Sequence, residues 1–211
     1  LDYRNDTCLA AIKNQGQCGS CWAFAAIAPL EFAACKKNKS SAAVPEQQLV
    51  DCDTVDGGCN GGFYTNAWDY HKKANGSAKS SLYGYTAVKG TCKFNSSMVG
   101  AKVASYTKVQ VKNSTAMQTA LVNYGPLAVA ITVINSFQYY SSGVYNDVAC
   151  NNQTINHAVT IVGYGVQNTT INYWVVRNSW GTGWGQKGYI LMLRGTNLCH
   201  IEEYVYYVAA A

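Results

Sequence analysis

The sequence predicts an α+β fold with two subdomains, a mainly helical one over residues 1–107 and a β-rich one over residues 108–211. The first part is rich in cysteine, helix-like apolar segments and paired glycine turns, whereas the second contains alternating and β-branched apolar runs such as residues 127–133. With 211 residues, of which 48% are hydrophobic, the chain is long enough to bury the cores of one or two compact domains.

The clearest helix is predicted from Ser20 to Lys36. Its apolar residues follow helical spacing, alanine is frequent, and Ser20 is a suitable N-cap. Cys21 therefore falls in the first turn, where the positive end of the helix dipole favours a thiolate over a thiol. Pro29 lies inside the segment, where proline costs about 3 kcal/mol, and it is expected to kink the helix.

Two predicted strands carry side chains that could act together with Cys21. His157 opens a β-branched run that ends in glycines, and Asn178 lies between a second strand and a turn rich in glycine and tryptophan. An imidazole can serve as the base for a thiol, and an amide can hold that imidazole in one orientation. The pattern indicates a hydrolase that acts through sulfur. His71 and His200 lack such company and are expected to be structural.

These residues lie in motifs that resemble those of the papain-like cysteine proteases, the cathepsin L-like group in its mature form. Residues 18–22 read Cys-Gly-Ser-Cys-Trp, and His157 and Asn178 follow Cys21 by 136 and 157 residues; the family pattern places them roughly 130–150 residues downstream, so the second separation is slightly long. Further blocks match in order over nearly the whole chain: Asp-Tyr-Arg at 2–4, Pro-Glu-Gln-Gln-Leu-Val-Asp-Cys at 45–52, Gly-Cys-Asn-Gly-Gly at 58–62, Asn-Ser-Trp-Gly at 178–181 and Gly-Tyr at 188–189.

The resemblance implies a papain-like fold with a helical half and an antiparallel, β-barrel-like half, and an active site in the cleft between them. Cys21 would be the nucleophile, His157 the general acid and base, and Asn178 the group that orients His157. Trp180 would shield that hydrogen bond from water, and Gln15 would donate its side-chain amide to the oxyanion. The implied reaction is endopeptidase hydrolysis through an acyl-enzyme thioester, without a metal or other cofactor.

The resemblance also implies a substrate site with a pocket for P2, the second residue before the scissile bond. Tyr204 at its floor is neutral and large, so medium apolar side chains such as Leu or Val are expected there rather than Arg or Phe. If the neighbouring Glu203 takes that position instead, Arg is favoured. The implied substrate-binding residues are Gly19, Gly61, Gly62, Phe63, Tyr64, Val133, Ile155, Asn156, Ala158 and Tyr204.

The nine cysteines fit a disulfide-rich chain with one thiol reserved for catalysis. Eight cysteines allow 105 pairings, so the sequence alone leaves the connectivity open. The resemblance implies the pairs Cys18–Cys59, Cys52–Cys92 and Cys150–Cys199, and Cys8 and Cys35 are left to pair with each other.

Other interpretations use the same residues. The Cys-x-x-Cys spacing of Cys18 and Cys21 also occurs in redox sites and in half of a zinc site, but a second close pair and a small βαβ chain are both missing. A catalytically silent binding protein with the same fold and a peptide ligase that uses the same acyl-enzyme are the functional alternatives.

Seven Asn-x-Ser/Thr sequons occur where composition alone predicts about 2.5, which favours passage through a glycosylating secretory pathway and a secreted or lysosomal location. The charge of +5 is spread along the chain and indicates no nucleic-acid partner, and no apolar run reaches the length of a membrane span. A processed monomer is expected, with its own pro-segment and cystatin-like inhibitors as partners. The sequons begin at Asn5, Asn38, Asn75, Asn95, Asn113, Asn152 and Asn168.

Overall fold

The computed structural model describes residues 1–41 and 43–211, which form two compact units. The helical unit contains Thr7–Ala10, Gln15–Thr107 and Val208–Ala211, and the β-rich unit contains Leu1–Asp6, Ala11–Asn14 and Lys108–Tyr207. These units differ from the two continuous halves expected from sequence. Two short segments near the N-terminus belong to the β-rich unit, and the last residues of the chain belong to the helical unit.

Helix α1, Cys21–Asn38, is buried on nearly all sides. Every residue from 22 to 32 is buried, which explains why the sequence shows continuous apolar and small residues instead of a single apolar stripe. The carboxylate of Glu31 in this stretch accepts a hydrogen bond from the Val44 N–H at 2.9 Å. The helix predicted over residues 20–36 is confirmed to within two residues, and Ser20 occupies the N-cap position without a side-chain capping bond. Pro29 lies inside α1, and the kink expected there stays a prediction.

Buried polar side chains of helix α2, Glu46–Cys52, hold irregular segments of the helical unit in place. Asp51 accepts hydrogen bonds from the Tyr83 hydroxyl and the Gly90 N–H, both at 2.7 Å. Gln48 bonds the backbone on either side of residue 77. Buried polar groups need hydrogen-bond partners. These bonds therefore fix segments of the chain that lack the backbone hydrogen bonds of a helix or a sheet. The other elements of this part of the chain are α3 (Tyr64–Lys73), β1 (Ser77–Ala78), β2 (Val99–Ala101), β3 (Val103–Lys108) and the 3-10 turns Ser80–Leu82 and Ser96–Met98.

The β-rich unit is built on an open, mostly antiparallel sheet with strand order β9-β4-β6-β7-β8-β5. Of these neighbours only β5 and β8 run parallel. The strands at the two ends of this order do not pair with each other in the described part of the chain, so the barrel-like half implied by the resemblance is an open sheet and no closed barrel. The elements are α4 (Ser114–Tyr124), β4 (Leu127–Ile131), α5 (Asn135–Gln138), β5 (Val144–Tyr145), β6 (His157–Gln167), β7 (Ile171–Arg177), β8 (Tyr189–Leu193), β9 (Tyr206–Ala210) and the 3-10 turns Tyr3–Asn5, Val148–Asn152 and Leu198–His200. The last three residues of β9 belong to the helical unit.

Strands β4 and β6 are buried on both faces, which accounts for their nearly continuous apolar sequence. In their antiparallel register Ile131 lies opposite His157, so the end of β4 lies beside the start of β6. The register shifts between Ile161 and Gly163, and a Cβ at Gly163 would lie 2.6 Å from the Leu1 carbonyl oxygen. This close approach explains why the first residues of the chain belong to the β-rich unit.

The described residues contain four disulfides, three in the helical unit and one in the β-rich unit. They use eight of the nine cysteines, and Cys21 lies outside them. Each disulfide closes a loop and so restricts the unfolded chain. The pairs are Cys8–Cys35, Cys18–Cys59, Cys52–Cys92 and Cys150–Cys199.

Six of the seven sequon asparagines are exposed. The seventh, Asn113, is half-buried and caps α4, since its Oδ1 accepts the Ala116 N–H at 2.9 Å while its Nδ2 donates to Gln110 at 3.0 Å. None of the described helices combines the length and the apolar character needed to cross a membrane.

His71 in α3 is completely buried, and its two ring nitrogens have no hydrogen-bond partner among the described residues. Burial lowers the pKa of His71 to about 3. Below about pH 6.5 the unfolded chain binds a proton at this histidine that the folded chain does not bind. The free energy of unfolding therefore decreases as the pH falls from about 6.5 toward 3.

We expect His71→Phe to weaken this acid sensitivity. In the wild type, His71 should lower the free energy of unfolding at pH 4 by about 3 kcal/mol relative to pH 7. Urea unfolding at both pH values measures the difference, and Met117→Leu, a core change without a titratable group, should shift both values equally. A His71→Phe protein with the pH dependence of the wild type would contradict the assignment.

Candidate active site

Cys21, the expected nucleophile, is half-buried and is the first residue of the buried helix α1. The loop before it is held within the helical unit by the Cys18–Cys59 disulfide and by a hydrogen bond of 2.8 Å from the Gly19 N–H to the Cys59 carbonyl. The N–H groups of a first helical turn point toward the helix N-terminus, where they and the helix dipole stabilise negative charge. This position therefore suits a thiolate.

Gln15 is buried, and its side chain is oriented by the same loop. Its Nε2 donates to the Cys18 carbonyl at 3.0 Å, and its own carbonyl accepts the Tyr85 hydroxyl at 2.6 Å. The Tyr85 hydroxyl also lies 2.7 Å from Ser20 Oγ, so one phenol joins both ends of the loop. Tyr85 is 65 residues from Ser20 and lies in no local motif, so the sequence did not indicate its contact with this loop.

The segment around Gly61 and Gly62 requires glycine for steric reasons. A Cβ at Gly62 would lie 2.6 Å from Trp22 and 2.7 Å from Asp56, and Gly61 has a φ of +116°, which side chains disfavour. In the same unit, a Cβ at Gly19 would clash with the Cys59 carbonyl. Exposed backbone is thus available at Gly19 and Gly62.

Phe63 and Tyr64 follow this segment but differ in exposure. Phe63 is half-buried, whereas Tyr64 is completely buried. Their rings stack with centroids 4.1 Å apart. Tyr64 therefore supports Phe63 and offers no surface of its own to a ligand.

His157 and Asn178 are joined by a hydrogen bond in which His157 Nε2 lies 2.8 Å from Asn178 Oδ1. The same Oδ1 accepts the Ser179 N–H at 2.8 Å, which identifies this atom as the amide oxygen. The proton of the neutral ring is therefore assigned to Nε2, and Nδ1 is the nitrogen that can accept a proton. The paired strands β6 and β7 fix the two residues, since His157 begins β6 and Asn178 follows β7.

Trp180 packs against the imidazole, with 5.0 Å between the ring centroids of Trp180 and His157. Its ring also makes edge contacts with Phe137 and Trp184. Burial lowers the pKa of His157 to about 4, and the hydrogen bond with Asn178 acts in the opposite direction. A protonated His157 therefore needs an anion to stabilise it.

The β-rich unit brings several expected pocket residues together where β4 ends and β6 begins. Asn156 Oδ1 accepts the Val133 N–H at 2.7 Å, and Asn156 Nδ2 donates to the Val133 carbonyl at 3.0 Å. The Asn156 amide thus fixes Val133 beside the strand that carries His157. Val133 and Ile155 are half-buried, and Ala158 is buried.

Tyr204 is 38% exposed, and its ring centroid lies 5.8 Å from the Lys108 ammonium. The neighbouring Glu203 is engaged in its own turn, since its carboxylate accepts from Asn197 at 2.8 Å and pairs with His200 at 3.0 Å. With these two contacts the Glu203 carboxylate is already engaged within its own turn and is not available to another partner. Among the described residues, no cluster of His, Cys, Asp and Glu side chains is arranged to bind a metal ion.

Comparisons with known proteins place the chain in a family. The chain matches the family described as papain family cysteine protease over residues 1–209. It is 42% identical over 207 residues to cathepsin L1 of Drosophila melanogaster, covering 96% of this chain and 56% of that protein. The structure of digestive procathepsin L 3 from the larval midgut of Tenebrio molitor is similar with a TM-score of 0.94 at 34% identity, covering 99% of this chain and 69% of that one. The bromelain protease of Ananas comosus, in complex with the E64 inhibitor, has a TM-score of 0.91 at 37% identity, covering 99% and 97%.

The chain spans between 56% and 63% of the length of the curated relatives that it matches. The family match nevertheless runs over nearly all of this chain, and the structural likeness extends over 99% of it. The chain therefore belongs to the papain family of cysteine proteases.

Proposed function

We propose that the protein is a cysteine endopeptidase in which Cys21 is the nucleophile and His157 the general acid and base. The observation that carries the proposal is the hydrogen bond from His157 Nε2 to Asn178 Oδ1, because it leaves Nδ1 as the nitrogen able to take the thiol proton. Family membership and cathepsin relatives at about 40% identity support hydrolysis of peptide bonds.

In the proposed reaction the Cys21 thiolate attacks the scissile carbonyl carbon. The imidazolium of His157 gives its proton to the leaving amine, and a thioester remains on Cys21. A water molecule then loses a proton to His157 and hydrolyses the thioester. Because burial disfavours the imidazolium, the thiolate has to supply the compensating negative charge, and the N-terminus of α1 supports that thiolate.

We assign the stabilisation of the oxyanion to the Gln15 amide and the Cys21 backbone N–H. The burial of Gln15 and the bond from its Nε2 to Cys18 support this role, since an oxyanion donor must be oriented before the reaction. Trp180 is proposed to keep water from the bond between His157 and Asn178, and its packing against the imidazole supports that assignment.

For substrate binding we propose that exposed glycine backbone holds the peptide and that apolar side chains receive P2. The engagement of the Glu203 carboxylate supports an apolar preference over one for Arg. Tyr64, being completely buried, is assigned a supporting place behind Phe63. The proposed contacts are Gly19, Gly61, Gly62, Phe63, Val133, Ile155, Asn156, Ala158 and Tyr204.

The peptide ligase alternative shares every step up to the thioester and differs only in whether an amine or water resolves it. The silent binding protein is disfavoured because Gln15, Cys21, His157 and Asn178 are all present.

We further propose passage through the secretory pathway and a secreted or lysosomal location as a monomer. The four disulfides and the exposed sequons support that route. A pro-segment and cystatin-like inhibitors are the proposed protein partners, and the likeness to a procathepsin L structure supports the first of them.

An epoxysuccinyl inhibitor should form one covalent adduct, at Cys21, with a proportional loss of hydrolysis of a fluorogenic dipeptidyl substrate that carries Leu at P2. Peptide mass spectrometry locates the adduct, and Cys21→Ser should show neither labelling nor hydrolysis. Labelling without hydrolysis would favour the silent binding protein, and transfer of the acyl group to an added peptide amine in preference to water would favour the ligase.

Gln15→Ala should lower kcat by about 10²–10³-fold, the usual effect of removing one oxyanion donor. Its melting temperature should stay close to that of the wild type. Gln17→Ala removes an exposed glutamine from the same loop and should leave kcat unchanged. Turnover of Gln15→Ala within a few-fold of the wild type would remove Gln15 from the mechanism.

A peptide library should show Leu or Val preferred over Arg and Phe at P2. Tyr204→Glu should raise the rate for Arg at P2 relative to Leu by about tenfold, because a charge-assisted hydrogen bond would then be available. Glu203→Gln serves as the control and should leave the preference as it is. Selection of Arg by the wild type would show that the apolar pocket is wrongly assigned.

A further inference from the structure

His200 lies in the β-rich unit and contacts a hydrogen-bond acceptor with each of its ring nitrogens. Its Nδ1 lies 3.0 Å from Oε1 of Glu203, and its Nε2 lies 3.0 Å from the carbonyl oxygen of Gln153. A carboxylate and a backbone carbonyl can only accept, so each contact needs an N–H group on the ring. The neutral imidazole has one such group and the imidazolium has two. Both contacts are therefore made together only by a protonated His200.

The charged groups near His200 favour this positive form. The Glu203 carboxylate forms a salt bridge with the ring at 3.0 Å. Burial acts to raise the pKa of Glu203, but the hydrogen bonds from His200 and Asn197 and the more weakly acting charge of Lys112 together lower that pKa. Glu203 is therefore ionised in mildly acidic solution and faces the ring as an anion.

The other segments packed on this turn add no competing charge. Residues 127–133, which include β4, and residues 148–156 contact the turn Leu198–His200. Neither range contains Asp, Glu, Lys or Arg. Glu202, on the turn itself, is buried, and its carboxylate accepts two N–H groups of the same unit. The ion pair with Glu203 is thus the charge interaction that acts directly on the ring.

The carbonyl of Gln153 connects this bridge to the end of β4. Besides the His200 ring, it accepts the hydroxyl of the completely buried Thr132 at 3.0 Å. The Thr132 N–H in turn donates to the Cys199 carbonyl at 3.0 Å. Because Val133 directly follows Thr132, these bonds also fix the place of Val133.

The bridge therefore joins two sets of residues that were assigned to the P2 pocket. Val133 and Ile155 lie close in sequence to the bonds around the Gln153 carbonyl, and Tyr204 directly follows Glu203 at the other end. All of these residues belong to the β-rich unit. A change in the length of the bridge would thus move Tyr204 relative to the other two pocket residues.

The turn that carries His200 is held by side-chain contacts and not by local backbone preference. Asn197, Cys199 and His200 have φ angles of +56°, +52° and +70°, a region that residues with a Cβ disfavour. The Cys150–Cys199 disulfide and the bond of 2.8 Å from the Cys199 N–H to Asn151 Oδ1 hold one side of the turn. The two contacts of the imidazole hold the other side.

We propose that His200, as an imidazolium, is a positioning residue that sets the distance between the two sides of the P2 pocket and so limits the size of the side chain that the pocket selects. The inference rests on the proposed function, in which Val133, Ile155 and Tyr204 line that pocket. It assigns part of the selection to a residue that acts through its neighbours and has no contact of its own with the substrate.

The pH dependence of this role has a definite sign. Imidazole groups change their charge between about pH 5 and 8. At the acid end of this range His200 donates to both acceptors, whereas at the alkaline end one N–H is lost and a lone pair faces an acceptor. The pocket should therefore discriminate against a large P2 side chain more sharply at acid pH.

Two fluorogenic dipeptidyl substrates that carry Leu or Phe at P2, and are otherwise identical, measure this discrimination. The ratio of their kcat/KM values cancels the ionisation of Cys21 and His157, because both substrates meet the same free enzyme. In the wild type the ratio of Leu to Phe should fall by about two- to tenfold between about pH 5 and 8, the effect of one lost hydrogen bond.

Two variants of His200 separate positioning from folding. His200→Gly removes both contacts without straining the turn, since glycine accepts the φ of +70°. Its melting temperature should stay close to that of the wild type, and its ratio should be low at every pH. His200→Arg supplies a permanent charge with several N–H donors, so its ratio should stay at the high acid value across the range.

Two further variants serve as controls. Thr196→Ala removes an exposed side chain from the neighbouring loop and should follow the wild type at every pH. Glu203→Gln keeps an oxygen that can accept the His200 N–H, so at acid pH it should retain the wild-type ratio.

The outcomes distinguish the role of His200 from the proposed function. If His200→Gly keeps the ratio and the pH dependence of the wild type, or if the wild-type ratio is the same at every pH, the positioning role is refuted while the protease stands. If His200→Arg gives the low ratio of His200→Gly, the charged bridge is refuted. If the wild type hydrolyses neither substrate at any pH, the proposed function is refuted, and the role of His200 is refuted with it.

Discussion

The burial of α1 is the constraint on which the rest of the helical unit depends. The indole of Trp22 donates to the Gly58 carbonyl, and the indole of Trp68 donates to the Ala26 carbonyl, both at 3.0 Å. These bonds attach the glycine segment and α3 to the same central helix. Because burying one large apolar side chain contributes roughly 1.5–3 kcal/mol, the helix cannot shift without a large loss of stability. Cys21 begins that helix, so its position is set by the core of the unit and not by a mobile loop.

A different constraint governs the β-rich unit, where a single amide oxygen receives two donors. Asn178 Oδ1 is held by the Ser179 N–H and in turn orients His157. The same amide leaves its Nδ2 buried without a partner among the described residues, a loss of about 1–3 kcal/mol for a typical group. A side chain that holds one of its polar atoms in place and leaves the other without a hydrogen bond is typical of a functional position.

Local sequence patterns predicted the helix and the strand that carry the proposed catalytic residues. The features that these patterns missed depend on contacts between residues far apart in the sequence. The helix from Cys21 and the strand from His157 follow from composition and periodicity over a few residues. The role of Tyr85 depends on partners elsewhere in the fold, so no motif in its own segment indicates it. Sheet closure is likewise set by pairing between distant strands, and the barrel-like half that the resemblance implied is an open sheet. The place of residues 1–6 in the β-rich unit depends on the close approach at Gly163.

The exposure of the sulfur atoms limits the redox conditions in which such a protein can work. As the proposed nucleophile, the half-buried Cys21 must stay reduced while eight other cysteines stay oxidised. Thiol exchange requires a thiolate to reach a sulfur atom, so buried partners such as Cys18, Cys35 and the pair Cys150–Cys199 resist a mild reductant. The exception is Cys52–Cys92, whose second cysteine is exposed. Excess reductant would therefore act first on Cys52–Cys92 and release the irregular chain that follows α3. A suitable compartment has to keep the Cys21 thiol reduced without reducing this disulfide.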